Sequence, residues 1–166
     1  MTNTGRVIEA MTGYYAGDVK RISHFLKVYG YAKVIGELEG LQEQEQELLE
    51  IAALVHDIGI KISEEKYHSS AGNYQELEGP PAAKQLLGDL GLPEDMIDRV
   101  CYLVGHHHTY QGINGADYQI LVEADFLVNI QEEAIGEQAI ARIREKIFRT
   151  KSGLRLLDRI YVETSR

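Results

Sequence analysis

The chain has 166 residues, of which 44% are hydrophobic and 26% are charged, and its formal net charge is -9 at pH 7. This length and composition predict one domain over residues 1–166 with a buried core. The acidic balance argues against a protein that tracks a nucleic-acid backbone, because such binding rests on a basic surface. A small phosphorylated ligand stays compatible, since it needs only a few local cations.

The single cysteine, Cys101, has no partner for an internal disulfide, which indicates a reducing compartment. Its neighbours predict a packed helix residue rather than a catalytic thiol. The N-terminal region has no apolar segment of signal-peptide length, and no run approaches the ~18 apolar residues of a membrane span. We therefore expect a cytoplasmic protein that has neither a membrane nor a nucleic acid as its partner.

Apolar residues recur at spacings of three and four along most of the chain, so the predicted fold class is all-α. The predicted helices cover residues 18–38, 44–58, 81–90, 117–133, 137–150 and 152–163. A further helix is predicted to begin at Pro93 and to end before a loop at 109–115. A polar stretch is expected at 63–73. Along the first helix the inward residues are predicted to be Val19, Ile22, Phe25, Leu26 and Tyr29. Gly59 is expected to end the second.

Some polar residues share apolar helix faces, where an unpaired polar group is costly to bury. His24 lies on a stripe with Val28 and Ile35. Asp125 lies within the apolar run 120–130, where Glu123 is expected to be partly exposed. Each residue alone has an ordinary explanation, such as a hydrogen-bonded core histidine or an ion-paired carboxylate.

An adjacent histidine and aspartate follow the five apolar residues 51–55 and complete a set of four with His24 and Asp125. Two imidazoles and two carboxylates form a standard ligand set for a divalent transition metal, which supplies the charge that buried carboxylates lack. The predicted metal ligands are His24, His56, Asp57 and Asp125. This ligand set does not distinguish among Mn, Fe, Co, Ni, Mg and Zn.

A mixed nitrogen and oxygen ligand set leaves coordination positions for water, which indicates hydrolytic rather than structural use of the metal. The metal acidifies water and neutralises charge on a phosphoryl oxygen. Arg21 precedes His24 by three residues, and Lys61 follows Asp57 by four. We predict that these two cations bind the phosphate, although each alone is equally well explained as a surface charge.

The ordered set His24, His56-Asp57 and Asp125 resembles the H…HD…D signature of the HD-domain superfamily of metal-dependent phosphohydrolases. The segments HDIGIK, ELEGPPAAKQLLGDLGL, IDRVCYLVGHHH and YQILVEADFLVN also resemble successive helices of small HD hydrolases in order and spacing. The resemblance covers roughly residues 18–133. It implies a helical core around a divalent metal and hydrolysis of phosphoester or phosphoanhydride bonds, with the C-terminal helices at about 137–163 outside that core.

The chain departs from parts of the family pattern. Relatives that hydrolyse guanosine tetraphosphate tend to have acidic residues at the positions of Ile60 and Lys61, and no GYP motif follows the HD pair. Two-metal members usually have a histidine at the position of Gln75, so we predict one metal, although His106 and His107 resemble the other ligands of a second. Helical spacing brings His107 and His108 inward equally well.

These observations predict a metal-dependent phosphohydrolase that acts on a small phosphorylated compound, for which a nucleotide is one candidate. His106 or His107 is expected either to orient a metal-binding side chain through a hydrogen bond or to protonate the leaving group. The alternatives are a regulatory HD domain that binds metal or nucleotide without turnover, and an HD-type di-iron oxygenase. Four tyrosines are expected either to line a homodimer interface or to belong to the core. These residues are Tyr14, Tyr15, Tyr29 and Tyr31.

Overall fold

The computed structural model describes residues 2–163, in which α-helices are joined by short turns and no β-strand occurs. The helices are α1 (Asn3–Tyr14), α2 (Val19–Leu38), α3 (Glu43–Val55), α4 (Ile60–Tyr67), α5 (Gly72–Asp89), α6 (Glu94–Val104), α7 (Ala116–Glu132), α8 (Glu137–Lys146) and α9 (Lys151–Leu157), and a π-helix (Asp158–Val162) follows. The predicted all-α class is confirmed. Within residues 2–163 no helix is long and apolar enough to cross a membrane.

Helix α3 lies at the centre of the fold. Every residue from Leu49 to Ile60 is buried, and α3 packs against α1, α2, α6 and α7. A helix surrounded in this way must be apolar on all its faces, which explains the unbroken run at 51–55. The run leads directly into His56 and Asp57, which are also buried, so this pair lies within the core.

The structure contains two helices that the sequence pattern did not predict. Helix α1 begins at an N-cap, where the Thr2 hydroxyl accepts a hydrogen bond from the amide of Gly5, and it buries Val7 and Met11. Helix α4 occupies most of the stretch expected to be an irregular polar segment. It buries only Ile60 and Ser63, so its sequence carries little apolar periodicity.

The predicted start of the helix at Pro81 is wrong by nine residues, because α5 begins at Gly72 and contains both Pro80 and Pro81. Proline lacks a backbone N–H and crowds the preceding turn, so it is normally read as a helix boundary. Here α5 continues through the pair and packs against α6. Helix α3 also ends earlier than predicted, at Val55, and Gly59 instead precedes α4 with an ordinary negative φ of -72°.

The buried face of α2 is rotated from the predicted one. Val19 is 73% exposed and Leu26 is 38% exposed. The buried residues are Phe25, Val28, Ala32, Ile35 and Gly36. Both stripes have helical spacing and share Phe25, but only the observed one also turns His24 toward α3 and α7.

The expectation that Glu123 is partly exposed is wrong, because this residue is completely buried. Its carboxylate accepts hydrogen bonds from the amides of Arg149 and Thr150 and from the Thr150 hydroxyl. These groups immediately precede α9, where unpaired N–H groups favour an anion. Glu123 therefore attaches the C-terminal helices to α7.

Candidate metal centre

Three separate parts of the fold bring the four predicted metal ligands together. His24 lies on α2, His56 and Asp57 lie in the turn between α3 and α4, and Asp125 lies on α7. Helix α2 packs against both α3 and α7, so its inward face meets the end of α3 and the middle of α7. All four side chains are largely buried.

The coordinating atoms of these side chains converge on one point. The Nε2 atoms of His24 and His56 are 3.2 Å apart, and both lie 3.3 Å from Oδ1 of Asp125. Oδ2 of Asp57 lies 3.1 Å from Nε2 of His24 and 3.3 Å from Nε2 of His56. Donor atoms bonded to one ion at about 2.0–2.2 Å lie about 3.0–3.5 Å apart. The spacing therefore fits a shared divalent metal.

Hydrogen bonds at the opposite ring nitrogens orient both imidazoles. Nδ1 of His56 donates to the carbonyl oxygen of Ala53 over 2.7 Å, and Nδ1 of His24 donates to Oε1 of Glu132. A proton held at Nδ1 leaves the Nε2 lone pair free, and this is the tautomer that a metal-binding histidine requires. In both residues Nε2 points toward the carboxylates.

The charges of the cluster also call for a cation. Oδ1 of Asp125 is fully buried and makes no hydrogen bond within residues 2–163. Burial opposes protonation of His24, but the Asp125 and Asp57 carboxylates outweigh burial and raise its pKa to about 10. The pKa of Asp57 is lowered well below its usual value against burial, chiefly by His56. The protein groups therefore favour positive charge between them, and a divalent ion would supply it.

Glu132 contacts the cluster through His24 and is not among the residues predicted from the sequence. Besides His24 it contacts Lys27, whose Nζ donates to Oε2 over 3.0 Å. Glu132 follows Asp125 by seven residues, which is two helical turns, so both project from the same face of α7. That spacing is the signal that would have found it.

The structure distinguishes the three consecutive histidines. His107 is buried and its Nε2 lies 3.0 Å from Oδ1 of Asp57, while its Nδ1 donates to the carbonyl of Val104. His106 is directed elsewhere, because its ring stacks on Tyr102 and its Nδ1 donates to the Tyr102 carbonyl. His106 and His107 were both predicted to assist the metal site, and of these two only His107 contacts a predicted metal ligand.

His108 contacts Gln75, the residue that replaces a histidine of the two-metal pattern. Nε2 of His108 lies 2.9 Å from Oε1 of Gln75 and 4.0 Å from Oδ1 of Asp57. The Gln75 amide nitrogen donates to the carbonyl of Ser70, which orients its oxygen toward His108. In this contact Nε2 of His108 donates to the amide oxygen, so a metal would have to displace the Gln75 contact to bind this nitrogen. Burial, with the neighbouring His107, lowers the pKa of His108 to about 4.

A cavity of about 320 Å³ opens beside the cluster and is lined by His24, Asp57 and His108 together with Lys20 and Arg21 of α2. Arg21, predicted as a phosphate ligand, is therefore at the cavity. Lys20, which the sequence reasoning missed, is exposed and forms no ion pair within residues 2–163.

Lys61 does not line this cavity. Its Nζ donates to the carbonyl of Tyr14 over 3.3 Å and lies 4.9 Å from the centre of the Tyr14 ring. The reason is that Lys61 lies in the first turn of α4, and the missed helix α1 offers it these two contacts. The predicted role of Lys61 in phosphate binding thus has no support from its position.

The sequence profile of the HD domain matches residues 21–148 of this chain. That match spans most of the sequence and includes all four converging ligands. The chain belongs to the HD-domain family. No curated protein matches the sequence.

A crystal structure shares the fold of this HD-domain chain. It is described as a predicted HD superfamily hydrolase from an uncultured Thermotogales bacterium, with a TM-score of 0.67 and 24% sequence identity. The similarity covers 94% of this chain and 83% of the other. HD-domain membership and the converging side chains agree on a site that can hold a divalent metal.

Proposed function

We propose that this HD-domain protein is a metal-dependent hydrolase of phosphoester or phosphoanhydride bonds in a small phosphorylated compound, for which a nucleotide is one candidate. The observation that carries the proposal is the buried His24, His56, Asp57 and Asp125 cluster beside a cavity with cations on one wall. The structural neighbour's description as a hydrolase points in the same direction. A cavity of this size suits a small molecule rather than a polymer.

The four side chains would hold the metal, and a divalent cation at such a site supplies Lewis acidity and acidifies water. Lys20 and Arg21 line the cavity wall and would bind phosphate there. Nε2 of His107 lies 3.0 Å from Oδ1 of Asp57, and this contact would orient the carboxylate toward the metal. Ile60 and Phe25 also line the cavity and contribute apolar surface to it.

We propose one metal for each chain. Asp57, His107 and His108 form a second group of three possible ligands, with Oδ1 of Asp57 on the side opposite the first cluster. The contact between His108 and Gln75 competes with a second metal for one of these ligands, because its Nε2 donates to the amide oxygen. The same contact counts against the di-iron oxygenase alternative, which requires two metals.

The proposal is tested by metal analysis of the purified protein, followed by phosphate-release assays of the metal-loaded protein on phosphomonoesters, nucleotides and phosphoanhydrides. We expect Asp57→Asn to lose both stoichiometric metal and turnover, since a neutral amide is a poor replacement for a buried carboxylate ligand. Asp98→Asn is the matched control, because Asp98 is an exposed aspartate on α6. A protein that binds no divalent metal, or an active Asp57→Asn variant, contradicts the proposal.

A regulatory domain without turnover is the second candidate, and the position of Ile60 favours it. Ile60 lines the cavity where some relatives have an acidic residue, so this position offers no carboxylate to act as a general base. Metal-loaded protein that binds one nucleotide tightly but hydrolyses no compound of the panel supports this candidate instead.

A further inference from the structure

Arg21 lies between two clefts. One is the metal-side cavity, and the other is a cleft of about 240 Å³ that is lined by Tyr14, Lys61 and Glu64 among others. Arg21 lines both clefts, so its side chain forms part of the wall that separates them.

Two carboxylates hold the Arg21 guanidinium in place. Its Nη1 and Nη2 lie 3.3 and 2.5 Å from the two oxygens of Glu64, and Nη1 also lies 3.4 Å from Oδ2 of Asp18. Two parallel N–H···O contacts between Arg21 and Glu64 form the paired geometry that guanidinium groups also make with phosphate. Glu64 therefore occupies the position on Arg21 that a phosphate would take.

We propose that Glu64 is a positioning residue that competes with the substrate phosphate for Arg21, so that phosphate binds by displacing this carboxylate. The inference rests on the proposed function, because it assumes that phosphate enters the metal-side cavity. After phosphate leaves, Glu64 pairs with Arg21 again. The contact thus weakens the binding of both substrate and inorganic phosphate.

The location of the pair makes the exchange feasible. The side chains of Arg21 and Glu64 are 30% and 44% exposed, and ion pairs with this exposure are weak. Arg21 is one helical turn before His24, so a small movement of its side chain changes its distance to a phosphate beside the metal ligands. Asp18 caps the start of α2 through the amide of Arg21, which holds the backbone in place while the side chain moves.

The test uses the full chain loaded with Mn²⁺ and inorganic phosphate as the probe, with the dissociation constant measured by calorimetry. We expect Glu64→Gln to tighten phosphate binding by roughly two- to fivefold, the range that corresponds to a weak exposed ion pair. In an Arg21→Gln background the same Glu64→Gln change is expected to leave phosphate binding unchanged, because the guanidinium for which Glu64 and phosphate compete is absent. In turnover assays Glu64→Gln should lower KM and leave kcat nearly unchanged.

The matched control is Glu65→Gln, which removes the same charge from the next residue of α4. Glu65 is exposed and forms no ion pair within residues 2–163, so phosphate binding should not change. Unchanged or weaker phosphate binding in Glu64→Gln overturns the inference, as does an equal gain in the Arg21→Gln background. Failure of the proposed function is recognised separately, by the absence of bound Mn²⁺ or of phosphate release in the wild-type protein.

Discussion

Individual hydrogen bonds decide which atoms of the metal centre are available as ligands. His24 and His56 each commit Nδ1 to an acceptor, and their Nε2 atoms face Asp57 and Asp125. In His108 the arrangement is reversed, because its Nε2 donates to Gln75. Residue type alone therefore does not define a metal ligand in this protein, whereas the partner of the second ring nitrogen does.

Glu132→Gln is expected to weaken the affinity for a divalent metal by about 10- to 100-fold, because the neutral amide no longer favours the Nδ1 proton of His24. The measurement is a metal titration followed by calorimetry, with Glu132→Asp as a partial rescue. Glu133→Gln removes the same charge from the neighbouring position without a contact to His24, and should retain wild-type affinity. Equal affinities in the wild type and Glu132→Gln contradict this role.

Gln75→His is expected to raise the bound metal from one ion to two per chain. The change removes the amide oxygen that is hydrogen-bonded to Nε2 of His108. It adds an imidazole beside Asp57 and His107, which supplies a further possible metal ligand. Metal content after dialysis is measured by elemental analysis. Gln85→His, at an exposed position of α5 distant from these ligands, is the control. An unchanged content in Gln75→His shows that the amide is not what excludes the second ion.

At the scale of elements, the turn that carries His56 and Asp57 is held by a close approach of backbone to backbone. A Cβ on Gly59 would lie 2.7 Å from the amide nitrogen of Gly79 and 2.8 Å from the carbonyl oxygen of Gln75. The Tyr15 hydroxyl contacts the carbonyls of Asp57 and Ile58 from the other side. Gly59 is thus required by the contact between its turn and α5, not by a left-handed backbone.

We therefore expect Gly59→Ala to reduce the free energy of unfolding by about 1–3 kcal/mol, since neither backbone segment can move without displacing the metal ligands. Gly88→Ala is the matched control, because it lies inside α5 and an added Cβ there meets nothing within 4 Å. Gly88 lies in the last turn of α5, and alanine at a helical position without a steric clash should stabilise that variant by about 0.4–1 kcal/mol. Denaturant unfolding separates the two, and equal effects contradict the close-contact explanation.

At the scale of the whole molecule, the metal centre couples stability to pH. The pKa of His24 is raised to about 10 by Asp125 and Asp57 in opposition to burial, and that of an unfolded histidine is about 6.5. The stability that this raised pKa contributes is fully present below about pH 6.5 and is lost as the pH rises through about 10. A divalent metal requires neutral imidazoles, so its binding strengthens with pH over the same range.

The increase in melting temperature on addition of Mn²⁺ should accordingly be larger at about pH 8.5 than at about pH 7. Paired thermal unfolding scans with and without the metal, at equal ionic strength, measure the difference. The Asp98→Asn control should show the same pH dependence as the wild type. A stabilisation that is equal at both pH values, or smaller at the higher one, contradicts the proton competition.

The sequence by itself determined the all-α class and singled out the four side chains that the structure brings together. Both conclusions depend on periodicity, since polar residues on apolar helix faces are conspicuous wherever the helix packs. The HD pair also follows a segment that is apolar on all sides, as only a central helix can be. These features are local to each helix, so they can be recognised without knowing how the helices pack together.

Only the tertiary structure decided which auxiliary groups reach the site. Periodicity defines the faces of one helix but neither its rotation against a neighbour nor the path of a turn, so His106, His107 and His108 could not be distinguished from the sequence. Lys61 turns to Tyr14 because of a helix that was not predicted, whereas Lys20 and Glu132 reach the site from α2 and α7. Contacts between elements distant in the chain made those choices, and their energies depend on geometry that no short segment contains.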